Sequence, residues 1–454
     1  MTATTAATAT ETLAARTTDR RPDRAGRRSG TSSRARAGLA LGIWLVVVGV
    51  SAVWGATLLR AHVHMQIGAP PLTGVLDWRP KLPLATAGIV GVLTATVMPA
   101  VVARLSWRRL LMAAPVGALV WTLAINTVDG WTGFTRPIHT EYAATAVGIA
   151  TPRQFLRALL THPSQFNIHT RGHPPGLPLL LWALRPLGVS SAPAVAVLYV
   201  VVGVMAVPAV LATVANVAGS RAARGAAPYL VLAPGAIWMA TSGDAFFAGV
   251  SAWAVALMVL ATGRDGPRGD VLALVGGALF GVTAFLSYGL VLLALIPVAV
   301  ALARRRVRPL LFGAVGAAPI FIAFAAAGFW WLDGLQVTRH AYATGVARRR
   351  PYDYFLLADI AAFALALGPA AAIALAWLRD RRLWLLAGAA LVAIALADFS
   401  GMSKAEVERI WLPFAPWVLV ATAAIARRPR TTRLLLVAQV ATAVGIQALV
   451  RSPW

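Results

Sequence analysis

The residues best able to do chemistry crowd into one stretch of the chain. Positions 129–173 read DGWTGFTRPIHTEYAATAVGIATPRQFLRALLTHPSQFNIHTRGH, and the apolar run PPGLPLLLWAL follows at once. The stretch holds two acids, Asp129 and Glu141, either of which could serve as a general base. Around them stand Arg136, His139, Tyr142, Arg171 and His173, groups that could steady an anion leaving in a transition state. Glu141 is the first choice for the base and Asp129 the second; a pairing of Glu141 with Arg136 that merely fixes the loop is the plainer alternative. Pro174 restricts His173 to extended backbone and Pro175-Gly176 delays the next helix, so the imidazole is held at a rim. There a neutral ring could donate to a substrate oxygen, or simply cap the turn. His169 and His173 are four apart, a spacing that binds a divalent metal on a helix, but Pro174 argues against a helix there.

Further candidates lie downstream. Asp244 sits at the mouth of an apolar segment, where it could position an acceptor or cap a helix. Arg348, Arg349 and Arg350 form a run that suits an anionic ligand or lipid head groups. Arg409 could meet a phosphate or pair with its neighbour Glu408. No glycine-rich phosphate loop is visible.

The elements that must position these groups are apolar. Of 454 residues, 59% are hydrophobic and 13% charged, with a mean hydropathy of +0.72, where a soluble domain carries roughly a quarter charged residues. Several runs reach about 20 residues, enough to cross a bilayer as a helix, and lipid demands that backbone groups be paired internally. The expectation is an all-α, polytopic transmembrane bundle. Candidate spans are 37–59, 82–103, 110–128, 192–216, 226–242, 244–262, 271–287, 288–303, 309–332, 356–378, 383–398, 409–427 and 432–450, with 175–188 as a short, partly inserted segment. The count is 11–13.

The net charge of +25 does not point to nucleic acid, because its distribution is that of a membrane protein. Eight arginines fall in the first 36 residues, read as a disordered basic tail, and other arginines punctuate short turns. With the tail cytoplasmic, the basic turns 104–109, 221–224, 264–268, 304–308, 379–382 and 427–433 all fall inside. All seven histidines, and the acids Asp129, Glu141, Asp244, Glu406 and Glu408 among others, then fall outside. The three arginines at 348–350 run against this tendency. Within the long loop, Thr151-Pro152 is a good helix start; Phe155, Leu156, Leu159 and Leu160 share one face and Arg153 and Arg157 another, a pattern for a helix at the membrane interface. Residues 141–150 suggest a second. There are no cysteines, so the redox compartment is not legible.

An acid followed by Tyr (TEY, 140–142), about thirty residues of interfacial helix, then GHPPG (172–176) opening an apolar segment resembles the GT-C superfamily, and within it the protein-mannosyltransferase-like group, glycosyltransferase family 39 and relatives. PGAIWMATSGDAFF (234–247) is similar to the group's outer Asp at the mouth of a span. FLSYGLVLLALIP (285–297), with Tyr288, fills another short outer turn, and EVERIWLPFAPW (406–417) resembles the basic residue and apolar-Pro run opening a late span. The likeness covers about 110–427. It leaves a core at 109–454 with the outer loop 129–174, preceded by two additional spans within 37–108. The group often carries Asp-Glu where this chain has Thr140-Glu141, so the base stays open between Glu141 and Asp129.

The resemblance implies an enzyme of a bacterial cytoplasmic membrane that moves a hexosyl or pentosyl group from a polyprenyl-phosphate donor to a hydroxyl of a glycan, lipid or protein, on the extracytoplasmic face. It implies substrate contacts from Arg136, His139, Tyr142, Arg171, His173, Asp244, Tyr288, Arg348, Arg349, Arg350 and Arg409. No cofactor is expected, a divalent metal being the one candidate. Membrane lipids are the other partner and nucleic acid is not. The competing readings are a transporter or flippase for a polyprenyl-linked sugar or anionic lipid, which would place ionisable groups at mid-membrane, and a non-catalytic assembly factor.

Overall fold

A computed structural model describes residues 24–239, 242–426 and 429–453, with the side chains of 24–34 and Thr140 left aside. The chain is a multi-pass bundle of α-helices. Among the described residues, eight helical runs are long and apolar enough to cross a membrane: Ala35–Arg60, Leu82–Arg104, Trp107–His139, Ala192–Ala218, Gly243–Thr262, Arg308–Ala326, Arg381–Phe399 and Pro429–Leu449. A ninth is the pair Tyr352–Leu367 and Pro369–Trp377, bent by 96° at Gly368. Of the remaining expected spans, 271–287 falls on one helix, Pro267–Ala284, and the other three are built from shorter pieces. Residues 226–242 divide between Ser220–Val231 and Ala236–Met239; 288–303 and 409–427 each mix short α and 3-10 turns. Each of these three stretches contains prolines (Pro228 and Pro234, Pro297, Pro413 and Pro416), each of which removes a backbone donor and crowds the preceding turn.

The first helix begins at Arg24 and runs to Arg60; residues 1–23, most of the expected tail, lie outside the described residues. Nothing between Arg24 and Arg60 breaks a helix once the apolar part has nucleated it.

Loops expected to share a face do meet. At one end Arg224 donates to the carbonyl of Val102, Arg304 bridges Asn216 and Thr262 at 2.8 Å each, and Arg306 and Arg308 pair with Asp265 and Asp270. At the other end Arg79 and Lys81 hold Asp129, and Val75–Leu76 pairs antiparallel with Val450–Arg451, tying the end of the last helix to the loop 61–81. Arg350 Nε donates to Met65 O at 3.0 Å, also at this end. Lateral faces stay apolar and exposed, as at Ile43, Val46, Leu311, Val315 and Ile322, which acyl chains rather than water can cover.

The bend at Gly368 leaves backbone groups that lipid could not satisfy. Gln439, fully buried, donates its Nε2 to Leu367 O at 2.7 Å and accepts at Oε1 from Ala370 N at 3.2 Å. Gly368 has φ +75°, and a Cβ there would stand 2.1 Å from Gln439 Oε1. Both demands exclude other residues.

The long loop 129–174 folds into short helices. Pro152–Thr161 forms with Thr151 as cap, its hydroxyl accepting from Gln154 N at 3.4 Å. Its face of Phe155, Leu156 and Leu159 is buried on Phe285 and Phe329, with Arg153 and Arg157 exposed. The apolar stripe thus rests on protein, a choice that periodicity alone does not make. Tyr142–Gly148 is the second helix. Gly176–Leu184 starts after the Pro-Pro step, and Gly176 N donates to Phe285 O at 2.8 Å. The glycine permits that approach, since a Cβ would stand 2.3 Å from Phe285 O.

Candidate active site

Glu141 follows a 3-10 turn, Arg136–Thr140, and precedes the helix Tyr142–Gly148. Asn167 pins this junction: its Nδ2 donates to Glu141 O at 2.9 Å while its Oδ1 caps the next helix by accepting from Thr170 N at 2.9 Å. The Glu141 side chain is fully buried. Its Oε2 accepts from Gly243 N, the first residue of the helix Gly243–Thr262, at 3.1 Å. Amides at a helix amino terminus favour an anion. Oε1 has no hydrogen-bond partner among the described residues. Burial pushes the carboxyl up to about 8, with Arg409 pulling the other way. Gly243 must be glycine for this contact: a Cβ there would meet Tyr142 at 2.8 Å and Leu177 at 2.9 Å.

Tyr142, the next residue, brings the second half of the loop to the acid. Its ring packs edge-on against His173 at 5.7 Å, and against His169 and Phe247 at 6.1 Å each. Burial pushes His169 down to about 2 and lowers His173, so both rings are neutral at ordinary pH. His173 Nδ1 lies 3.0 Å from His169 O. A carbonyl only accepts, so Nδ1 carries the proton and Nε2 of the neutral ring is a lone-pair acceptor. This corrects the expectation of a neutral donor: His173 can take a hydrogen bond from a hydroxyl but offers none to a phosphate from Nε2.

Behind these groups lies a buried ion network. Arg409, 2% exposed, donates to Asp244 Oδ2 and Glu406 Oε2 at 2.5 Å each. Burial opposes its charge, and the two carboxylates outweigh that penalty and hold it above its ordinary value. The expected pairing with Glu408 is not made. Glu408 turns away, accepts from Thr73 N at 2.9 Å, and is pushed up by burial to about 7. Arg350 Nη2 stands 3.9 Å from Glu406 Oε1, so two cations and two acids share this network. Asp244 likewise serves this ion pair, with no side-chain cap at the helix start.

The structure thus brings together Glu141, Tyr142, His173, Asp244 and Arg409, and leaves the other candidates around them. Asp129 is taken up by Arg79 at 2.9 Å and by Lys81. Arg136 and His139 are exposed, so Arg136 does not pair with Glu141. Arg171 is half-buried, with its carbonyl accepting from Thr338 Oγ1 at 3.3 Å. Tyr288 is buried edge-on against Trp331 at 5.1 Å. The arginine run divides: Arg348 and Arg349 are exposed, while Arg350 turns inward to Met65 O and Lys404 O. Sequence reading missed Glu406, Gly243, Asn167 and Thr73. The three-residue step from Glu406 to Arg409 was the available signal for the first; nothing in sequence marked Thr73, 333 positions before Glu406. The acids that act on His173, Asp244 and Glu406, are committed to Arg409, and among the described residues no three His, Cys, Asp or Glu side chains gather as a ligand set.

Comparison with known proteins adds little to this geometry. No family model matches the chain, and no curated protein matches it. Among solved structures, the chain is similar to the crystal structure of the Archaeoglobus fulgidus oligosaccharyltransferase solved with Zn and sulfate, at 17% identity and a TM-score of 0.40 over 76% of this chain. The match spans 54% of that protein, about half its length.

Proposed function

We propose that this multi-pass membrane protein is a glycosyltransferase that moves a sugar from a polyprenyl-phosphate carrier to an acceptor hydroxyl on the extracytoplasmic face, with Glu141 as general base. The single observation behind this reading is the state of Glu141: a buried carboxyl, one oxygen fixed by the Gly243 amide, the other free of hydrogen bonds, with its proton held to about 8. A base is most effective when its pKa lies near the working pH. Asp129, bound by Arg79 and Lys81, is a weaker candidate because two cations already stabilise its charge. The donor class and the face of the membrane come from the GT-C resemblance of TEY and GHPPG and from the arrangement of arginines.

In this mechanism Glu141 Oε1 takes the acceptor hydroxyl proton as that oxygen attacks the anomeric carbon. The bond to the carrier phosphate breaks, and polyprenyl phosphate leaves. His173 Nε2 accepts from a sugar or acceptor hydroxyl and orients it. The exposed cations Arg136, Arg348 and Arg349 are the groups free to meet phosphate at the rim. Because the carboxyl is covered, substrate entry must part the loop 129–174 from the mouth of Gly243–Thr262.

A transport reading would draw on the bend at Gly368, since broken helices bind ions in transporters. Here Gln439 fills the break with neutral hydrogen bonds, which disfavours that use. The test is to incubate membranes with a panel of radiolabelled polyprenyl-phosphate sugars and follow label leaving the carrier. Glu141→Gln should lower transfer by a factor of roughly 10² to 10⁴, the usual weight of a general base, with assembly intact. Undiminished transfer by this variant would remove Glu141 as the base.

A further inference from the structure

The turn Ser403–Arg409 carries two consecutive non-glycine residues in left-handed backbone, Ala405 at φ +69° and Glu406 at φ +62°. Such residues persist only where their surroundings over-determine them. The restraints here are many. Asp359 Oδ1 accepts from Ala405 N at 3.0 Å, and Tyr342 Oη accepts from Lys404 N at 2.8 Å. Lys404 Nζ donates to Arg350 O at 3.1 Å, and Arg350 donates back to Lys404 O.

The remaining restraints come from the loop 61–81, which joins the first two spans. Thr73 clamps the turn twice: its Oγ1 accepts from Glu406 N at 3.2 Å, and its own N–H donates to Glu408 Oε1 at 2.9 Å. Thr73 is 7% exposed and Glu408 fully buried, so water cannot readily replace either bond. An apolar cluster seats the clamp, with Met65 and Ile67 of the loop packed on Tyr354, Phe355, Ala358 and Ala405.

The clamped residue is the one that matters to the site. Glu406 Oε2 holds Arg409, Arg409 holds Asp244, and Asp244 follows Gly243, whose amide fixes Glu141. A continuous path of hydrogen bonds and one peptide link thus runs from Thr73 to the acid. We propose that the loop 61–81 completes the site, with Thr73 as a positioning residue that holds Glu406, and through Arg409 and Asp244 the amide that aims Glu141. The two amino-terminal spans, which fall outside the GT-C resemblance, are then a working part of the site.

The proposal rests on the transfer reading only for its kinetic arm. In the full-length protein, Thr73→Val removes the Oγ1 acceptor at nearly constant volume, and Thr73→Ser keeps it. Hydrogen exchange followed by mass spectrometry should show peptides covering 403–410 exchanging about tenfold faster in Thr73→Val, as loss of a buried acceptor implies. The helix Pro267–Ala284 should be unchanged, and Thr73→Ser should restore the slow rate. In the transfer assay kcat should fall about tenfold in Thr73→Val, with the donor KM within about twofold, and Ser should again rescue. Unchanged exchange at 403–410 would overturn the proposal; so would a rise in KM alone, which would make the loop a substrate contact. If Thr73→Val does not assemble, exchange in Thr73→Ala gives the same decision. A wild-type protein that transfers no polyprenyl-linked sugar would sink the transfer reading, while the exchange result would still decide the positioning.

Discussion

The two ends of this bundle use the same residue types under opposite physical conditions. At the arginine-rich end, Arg306–Asp265 and Arg308–Asp270 are paired on the surface, with the arginine side chains 46% and 67% exposed. At the other end, the side chains of Arg409 and Asp244 are each 3% exposed and form the centre of a network. Water screens the first pairs, and such pairs contribute little to stability. The second cannot lose one partner without leaving a charge stranded in a medium that will not solvate it. The difference teaches that formal charge locates the ends of helices, while burial decides which charges the molecule depends on.

That contrast can be broken most directly at Arg409. Arg409→Ala takes the cation from Asp244 and leaves Glu406 with Arg350 at 3.9 Å, and should destabilise the protein by about 3–5 kcal/mol, read as a large fall in thermal unfolding temperature in detergent. Next comes Gly243→Ala. Its new Cβ would press on the Tyr142 ring and on Leu177, and overpacking of this kind costs about 1–3 kcal/mol. Gly88→Ala is the control, because its Cβ would find only Val444 at 3.9 Å; it should be neutral or slightly stabilising.

A third comparison uses pH. Glu141 has a folded-state pKa of about 8 against an ordinary 4.5, so between those values the folded protein binds the extra proton. Its contribution to stability is complete below about 4.5 and is lost as pH rises through 8. Glu408, raised to about 7, acts in the same direction. Stability should therefore decline from pH 5 to pH 8, and Glu141→Gln should flatten the decline in part. A decline of unchanged slope in the variant would show that Glu141 is not the titrating group. The smallest effect is expected at the other end: Arg306→Ala should leave the unfolding temperature where it was, and a clear drop would mean that the exposed pairs matter more than their solvation suggests.

Much of the fold was legible because bilayer crossing is a one-dimensional constraint. Runs such as 82–103 and 432–450 had to become helices of about that length, and the arginine turns sorted the loops into two groups that do meet in space. The short outer helix was legible for a similar reason, with Thr151-Pro152 as a start signal and a 3.6-residue apolar stripe behind it. Glu141, Tyr142 and His173 were legible as a group through their spacing around that helix and the proline step. The pieces 226–242 and 409–427 read as continuous spans and are broken, because an apolar run does not say where its prolines will part it.

What the sequence determined alone was the helical, membrane-spanning architecture, the grouping of loops, and which loop carries the acid. Those follow from hydropathy, length and local backbone preference, all properties of neighbours along the chain. Only the tertiary structure decided that Arg409 pairs with Asp244 and Glu406 instead of Glu408, that Asp129 belongs to Arg79 and Lys81, that the His173 proton sits on Nδ1, and that Thr73 reaches Glu406. Each is a contact of one buried polar group with another, most of them between distant segments. In an interior that cannot solvate charge, partners are chosen by which groups the packing brings within hydrogen-bond reach, and linear spacing carries no record of that choice.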